Sequence, residues 1–223
     1  MSKFVGEYAS GISRRQTLQG ICIGPLWYIC GIRATVQAVI LAAEVLDAAI
    51  NIFEKSSIAY QSSVDGPVGD LRVKLRNHRA DLSAIAKDWE VKRLDMVGNA
   101  SDLKGKFADL TSKAVAYWAA LNEITSEITD SEKRKIEQQK NGELRAQWDS
   151  AYTNARTKIA AIDSIQGKSE DIGRLLAISA MRADLNQYVV ELNAMSKEAD
   201  NLLASLQGFS KVARANVKVR KAA

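Results

Sequence analysis

Apolar residues recur along most of this sequence at intervals that alternate between three and four. One run is Val39, Ala43, Leu46, Ile50, Phe53 and then Tyr60. A second is Leu71, Leu75, His78, Leu82, Ile85 and Trp89, with Met96 one heptad beyond. A third is Leu103, Phe107, Leu110, Ala114, Tyr117, Leu121, Ile124 and Ile128. The fourth, Ile178, Met181, Leu185, Tyr188, Leu192, Met195, Ala199, Leu202, Leu206 and Phe209, covers 32 residues, or about 48 Å of helix. A shorter piece follows Trp148 through Tyr152, Ala155, Ile159 and Ile162. Side chains so spaced fall on one face of a helix, whereas a half-buried strand alternates with period two. Sustained over several heptads, the pattern predicts long helices packed along narrow seams in the manner of a coiled coil. Only two prolines in 223 residues and an aromatic share of 6% agree with helices and argue against a sandwich or barrel.

Turn signals divide the runs. Asp65-Gly66-Pro67 with Gly69 predicts a turn, with Asp70 capping the next helix. Gly98-Asn99, followed by Ser101-Asp102, marks either a full turn or a bend in one long helix. Gln166-Gly167-Lys168-Ser169 supplies a terminating glycine and then a capping serine. Residues 129–143 hold one strong apolar residue, Ile136, among many charges, and are expected to form a solvated tip or an exposed helical extension. The predicted fold is all-α: an elongated antiparallel bundle of four to five long, heptad-patterned helices over residues 39–210.

Charge is uneven. The chain carries 31 Lys and Arg against 26 Asp and Glu, a net charge of +5. Residues 211–223 hold Lys211, Arg214, Lys218, Arg220 and Lys221 and no acid. Residues 1–38 hold Lys3, Arg14, Arg15 and Arg33 against Glu7, which leaves 22 basic and 25 acidic residues between. A near-neutral body with basic ends is not the footprint of a nucleic-acid binder, and no nucleic-acid partner is expected. The basic C-terminal tail is the candidate contact with an anionic membrane surface, where each Lys or Arg is worth roughly 1 kcal/mol.

The N-terminal segment reads as an address. Ser13-Arg14-Arg15-Gln16-Thr17-Leu18-Gln19-Gly20 precedes an apolar stretch from Ile21 to Ile32, which Arg33 ends. The small residues Ala34-Thr35-Val36-Gln37-Ala38 follow. This is the basic, apolar and small-residue order of an export signal. The segment resembles a twin-arginine (Tat) signal peptide, whose pattern Ser-Arg-Arg-x-Phe-Leu-Lys is matched by Ser13, Arg14, Arg15 and Leu18, with Thr17 and Gln19 in place of the favoured Phe and Lys. The resemblance implies a signal over residues 1–38, the Tat translocase as a transient partner, and a periplasmic or secreted mature protein. The alternative is an uncleaved N-terminal anchor, although twelve apolar residues fall short of the ~20 that a spanning helix needs. Neither Cys22 nor Cys30 lies in a lipobox, and cleavage near Ala38 removes both cysteines.

Chemical constellations are sparse. His78 is the only histidine. As a haem or metal ligand it needs partners, and no Glu-x-x-His pair accompanies it; Met96, Met181 and Met195 are the candidate second ligands for a haem. Gly167-Lys168-Ser169 lacks the earlier glycine of a phosphate loop, since position 162 is Ile162. Trp89, Trp118 and Trp148 are expected to fill the core. No triad or other nucleophile motif is visible, so neither an enzyme nor a cofactor is expected.

These features point to an exported, non-catalytic helical bundle that acts by protein–protein interaction, as a scaffold or subunit in the cell envelope. Its partner is an envelope protein or a second copy bound through helix faces. The alternative is a membrane-active protein, similar in layout only to α-helical pore-forming toxins, that inserts residues 21–53; Arg33, Glu44, Asp47 and Asn51 put polar groups into that segment. A further alternative is a bundle that holds haem or another ligand between its helices.

Overall fold

The computed structural model describes residues 26–76, 81–182 and 188–217. The heptad runs form helices, and the order is α1 (Leu26–Leu75), α2 (Leu82–Ser126), α3 (Ser131–Ala160), α4 (Ile162–Arg182) and α5 (Tyr188–Val217). Only Ala161 separates α3 from α4, so the two act as one interrupted rod. The result is a four-rod, all-α bundle. Each rod packs on its two neighbours in the cyclic order α1, α2, α3/α4, α5, and α1 makes no contact with α3 or α4 among the described residues.

All neighbouring rods run antiparallel. Between α1 and α2 the paired residues are Thr35 with Glu127, Ser56 with Asp102, and Lys74 with Asp88, so rising numbers on α1 meet falling numbers on α2. Between α1 and α5 they are Gln61 with Asp200 and Asp65 with Ser196. At about 1.5 Å per residue, the 50 residues of α1 extend roughly 75 Å, which makes the molecule elongated.

The seam between rods is where the spacing places it. Leu46, Ile50, Phe53, Tyr60, Val64, Val68 and Leu71 of α1 are buried, as are Ile85, Trp89, Met96, Leu103, Phe107 and Leu110 of α2. An aromatic cluster ties together α1, α2, α3 and α5. The ring of Phe53 lies 5.6 Å from Phe107 and 5.9 Å from Phe209, and Trp148 lies 5.4 Å from Phe209. Trp89, Trp118 and Trp148 are all buried. The Trp89 indole donates to the Ser169 carbonyl at 2.8 Å. Gly173 leaves room for that ring, since a Cβ there would meet Trp89 Cδ1 at 3.3 Å.

The turns fall away from the glycines. α1 continues through Gly66, Pro67 and Gly69 to Leu75, and Asp70 is interior to it. α2 continues through Gly98, and α4 through Gly167. The real caps are aspartates. Asp81 accepts from the backbone of Ser83 and Ala84 at 2.9 and 3.1 Å, and Asp130 accepts from Glu132 and Lys133 at 3.0 and 3.1 Å, the geometry that satisfies orphan N–H groups at a helix start. An interior proline costs a helix about 3 kcal/mol. Here Val64, Val68 and Leu71, buried around Pro67, offset that cost. Two of the heptad runs therefore cross real turns: Leu71 and Leu75 end α1 while Leu82 begins α2, and Ile178 belongs to α4 while Leu192 belongs to α5. The charged stretch 129–143 is the α2–α3 turn and the first turns of α3.

Candidate functional site: the outer face of the first helix

From Thr35 to Lys55, α1 is apolar on two sides. Its inner stripe, Ala43, Leu46, Ala49, Ile50 and Phe53, is buried. A second stripe, Ala38, Leu41, Val45, Ala48 and Ile52, repeats the three–four spacing and faces outward. Leu41 is 61% exposed, Ile52 49% and Val45 40%. The same phase continues as Lys55, Ala59, Ser62, Gly66 and Gly69, a cation and small residues, before exposed Val73 near the end of the helix. Polar groups hold a third edge, with Glu44, Asp47 and Asn51 exposed. By length and composition the stretch Thr35–Leu75 of α1 is also apolar enough to cross a membrane.

α5 flanks the C-terminal part of this stretch. Arg214, in its last turn, donates to Asn51 Oδ1 at 2.6 Å and to Glu54. Asn216 donates to the Leu144 carbonyl of α3 at 3.3 Å. α5 thus runs beside α1 as far as Asn51. Thr35 closes the contact of α1 with α2 by donating to Glu127 at 3.0 Å.

At the opposite end of the α1–α2 hairpin, Asp70, Lys74, Asp88 and Lys92 form a closed ring. Lys74 lies 2.8 Å from Asp70 and 2.6 Å from Asp88, Lys92 lies 2.9 Å from Asp88, and Lys92 also pairs with Asp70. Hydrogen bonds from Lys74 and Lys92 hold both carboxyls below their ordinary range, and the two aspartates push both ammonium groups up. The Tyr60 hydroxyl is buried without a hydrogen-bond partner, and burial first, then the charges of Asp163 and Glu198, push its ionisation up.

The sequence candidates distribute as follows. Ser13, Arg14, Arg15 and Leu18 lie outside the described residues, as do His78, Lys218, Arg220 and Lys221. Lys211 and Arg214, assigned to a tail from composition, belong to α5. Lys211 is exposed, and Arg214 is bound to Asn51 and Glu54 of α1, which ties the two rods together. Among the described residues no group of three or more His, Cys, Asp or Glu side chains could hold a metal. The outward stripe was missed in sequence because the inner stripe of the same helix accounts for its heptads. The signal was present as a second, offset heptad series that starts at Ala38. Comparison of the chain with family models, curated proteins and solved structures finds no match.

Proposed function

We propose that this protein is a non-catalytic helical bundle of the cell envelope that works by binding another helix along the outer stripe of α1. The exposed series Leu41, Val45, Ala48 and Ile52 carries this reading. It has the spacing with which one helix packs on another, and contiguous exposed apolar groups of this kind mark interaction surfaces. The resemblance of Ser13, Arg14, Arg15 and Leu18 to a Tat signal supports the location, and every bulky residue of the stripe lies after the cleavage region at Ala38. Two experiments test the reading. Fractionation of the native host is expected to find an extracytoplasmic protein starting near Val39, with the Arg14→Lys/Arg15→Lys variant full length and inside; a cytosolic full-length wild type would remove the address. A photo-crosslinking side chain placed at Leu41 or Ile52 is expected to give a protein adduct, and one at Ser62 none. No adduct from either stripe position would remove the binding role.

A second reading is a membrane-active protein, favoured by the apolar, span-length stretch of α1. Against it stand Glu44, Asp47 and Asn51, each costing a few kcal/mol near the bilayer centre, and the commitment of Leu46, Ile50 and Phe53 to the core. Dye release from anionic liposomes would favour insertion, and intact liposomes would exclude it.

A further inference from the structure

We infer that the helix received by the α1 stripe is the same stripe of a second copy of this chain, laid antiparallel across it. The inference rests on the binding role proposed above and names the partner. Three observations converge. The first is size. Two helices that cross approach most closely at the crossing point and diverge on either side. An antiparallel pair with its two-fold axis between Leu46 and Asp47 sets Val45 against the copy's Ala48 at the centre, and Leu41 against the copy's Ile52 one layer out. Small side chains thus fall where the helices are closest, and large ones where the gap widens.

The second is charge along the stripe. Exposed Lys55 closes one end, and Glu127, bound to Thr35, stands at the other. The antiparallel arrangement brings each Lys55 toward the copy's Glu127 end. A parallel pair would put Lys55 against Lys55. The third is charge beside the stripe. Glu44 comes within two residues of the level of the copy's Asn51, which accepts from Arg214, so the acid comes near a guanidinium. A parallel pair would bring Glu44 level with Glu44. A two-fold interface of this kind is self-complementary and closes as a dimer.

Sedimentation of the full chain, with Cys22 and Cys30 replaced by Ser, tests the association. A dimer is expected at tens of micromolar, and Leu41→Glu is expected to weaken it at least tenfold while helix content and the unfolding midpoint hold. Leu41 is mostly exposed, so the variant folds. Orientation is read by oxidation. A mixture of Leu41→Cys and Ile52→Cys chains is expected to crosslink as a heterodimer, while each alone crosslinks at a tenth of that yield or less. A monomer at 100 micromolar overturns the inference, as does homotypic crosslinking, which would report a parallel pair. The photo-adduct separates the two readings. A mass of twice the chain supports both. A different mass keeps the binding role and overturns self-association. Absence of any adduct overturns both.

Discussion

The two halves of α1 share one inner pattern and differ in everything outside it. From Ser56 to Leu75 the helix is held on both flanks. Gln61, Asp65 and Arg72 bind Asp200, Ser196 and the Leu192 carbonyl of α5, and Asp70 and Lys74 join the charged ring with α2. Its outward series is Ala59, Ser62, Gly66 and Gly69, small residues that reach exposed Val73 only at the end of the helix, with exposed Ile58 standing beside the series. From Thr35 to Lys55 the helix has α2 on one flank and, beside Asn51, Phe53 and Glu54, the α5 segment that carries Phe209 and Arg214, and its outward positions are Leu41, Val45 and Ile52. A helix that must only fold needs one apolar stripe. The half that carries two has a surface which the bundle itself does not use, and that is where a role in binding is best supported.

Substitutions can break this contrast or sharpen it. The largest effect is expected from Phe53→Ala, which empties the aromatic cluster where the halves meet. Truncation of a buried Phe costs about 3–5 kcal/mol, read as a lower chemical-denaturation midpoint, and a loss under 1 kcal/mol would mean that the cluster is not the keystone of the core. Next is Pro67→Ala in the well-held half. It restores a backbone donor within a helix and is expected to stabilise by up to about 3 kcal/mol; a destabilised variant would show that the proline ring is needed by its neighbours. Tyr60→Phe removes a buried hydroxyl with no partner and is expected to stabilise by about 1 kcal/mol, measured by thermal unfolding, unless a trapped water satisfies that group.

The charged ring gives a smaller, pH-dependent effect. Asp70 and Asp88 titrate below their unfolded values, so their contribution is complete at neutral pH. It is lost as pH falls from roughly 4, the unfolded carboxyl range, through the lowered folded values. Lys74 and Lys92 are shifted up; their contribution is intact below the ordinary lysine range and is lost only as pH rises through the raised values. These side chains are more than a quarter exposed, and the aspartates more than a third, so each pair is worth about 0.2–1 kcal/mol. Asp88→Asn should flatten the acid limb of a stability–pH curve by that amount, and an unchanged limb would mean that the ring adds nothing. The smallest effect on stability, within about 0.5 kcal/mol, is expected for Leu41→Glu and Ile52→Lys, where a large loss would show that the outer stripe is covered within the bundle.

The helical class, the antiparallel bundle and most of its core were legible, because a three–four spacing has one structural solution. Leu46, Phe53, Trp89, Phe107, Leu110 and Leu206 all fall in the core. The turns were not. Glycine and proline were weighed as breakers, but Gly66, Gly69, Gly98 and Gly167 sit in interior turns where a Cβ would meet open space. There tertiary packing outweighs a local cost of about 1 kcal/mol per glycine. Asp81 and Asp130 were overlooked because each stands among other charges, where a capping carboxylate looks like one more surface acid. Heptad phase ran unbroken across the α1–α2 and α4–α5 connections, since hairpins of packed helices keep the same face inward. The outer stripe was hidden by its coincidence with a core helix.

The closure of the rods has a consequence in time. α1 meets α2, and α2 meets α3, across short connections, so those pairings can form early as the chain leaves the ribosome. The contact between α1 and α5 joins residues 120 to 163 positions apart, as in Arg72 with Leu192 and Arg214 with Asn51. Such distant pairings are slow to form and leave apolar surface uncovered while they are pending. The flank of α1 that receives α5 therefore stays bare until α5 itself has been made. Docking of α5 becomes the event that divides a nascent, chaperone-accessible chain from the finished bundle.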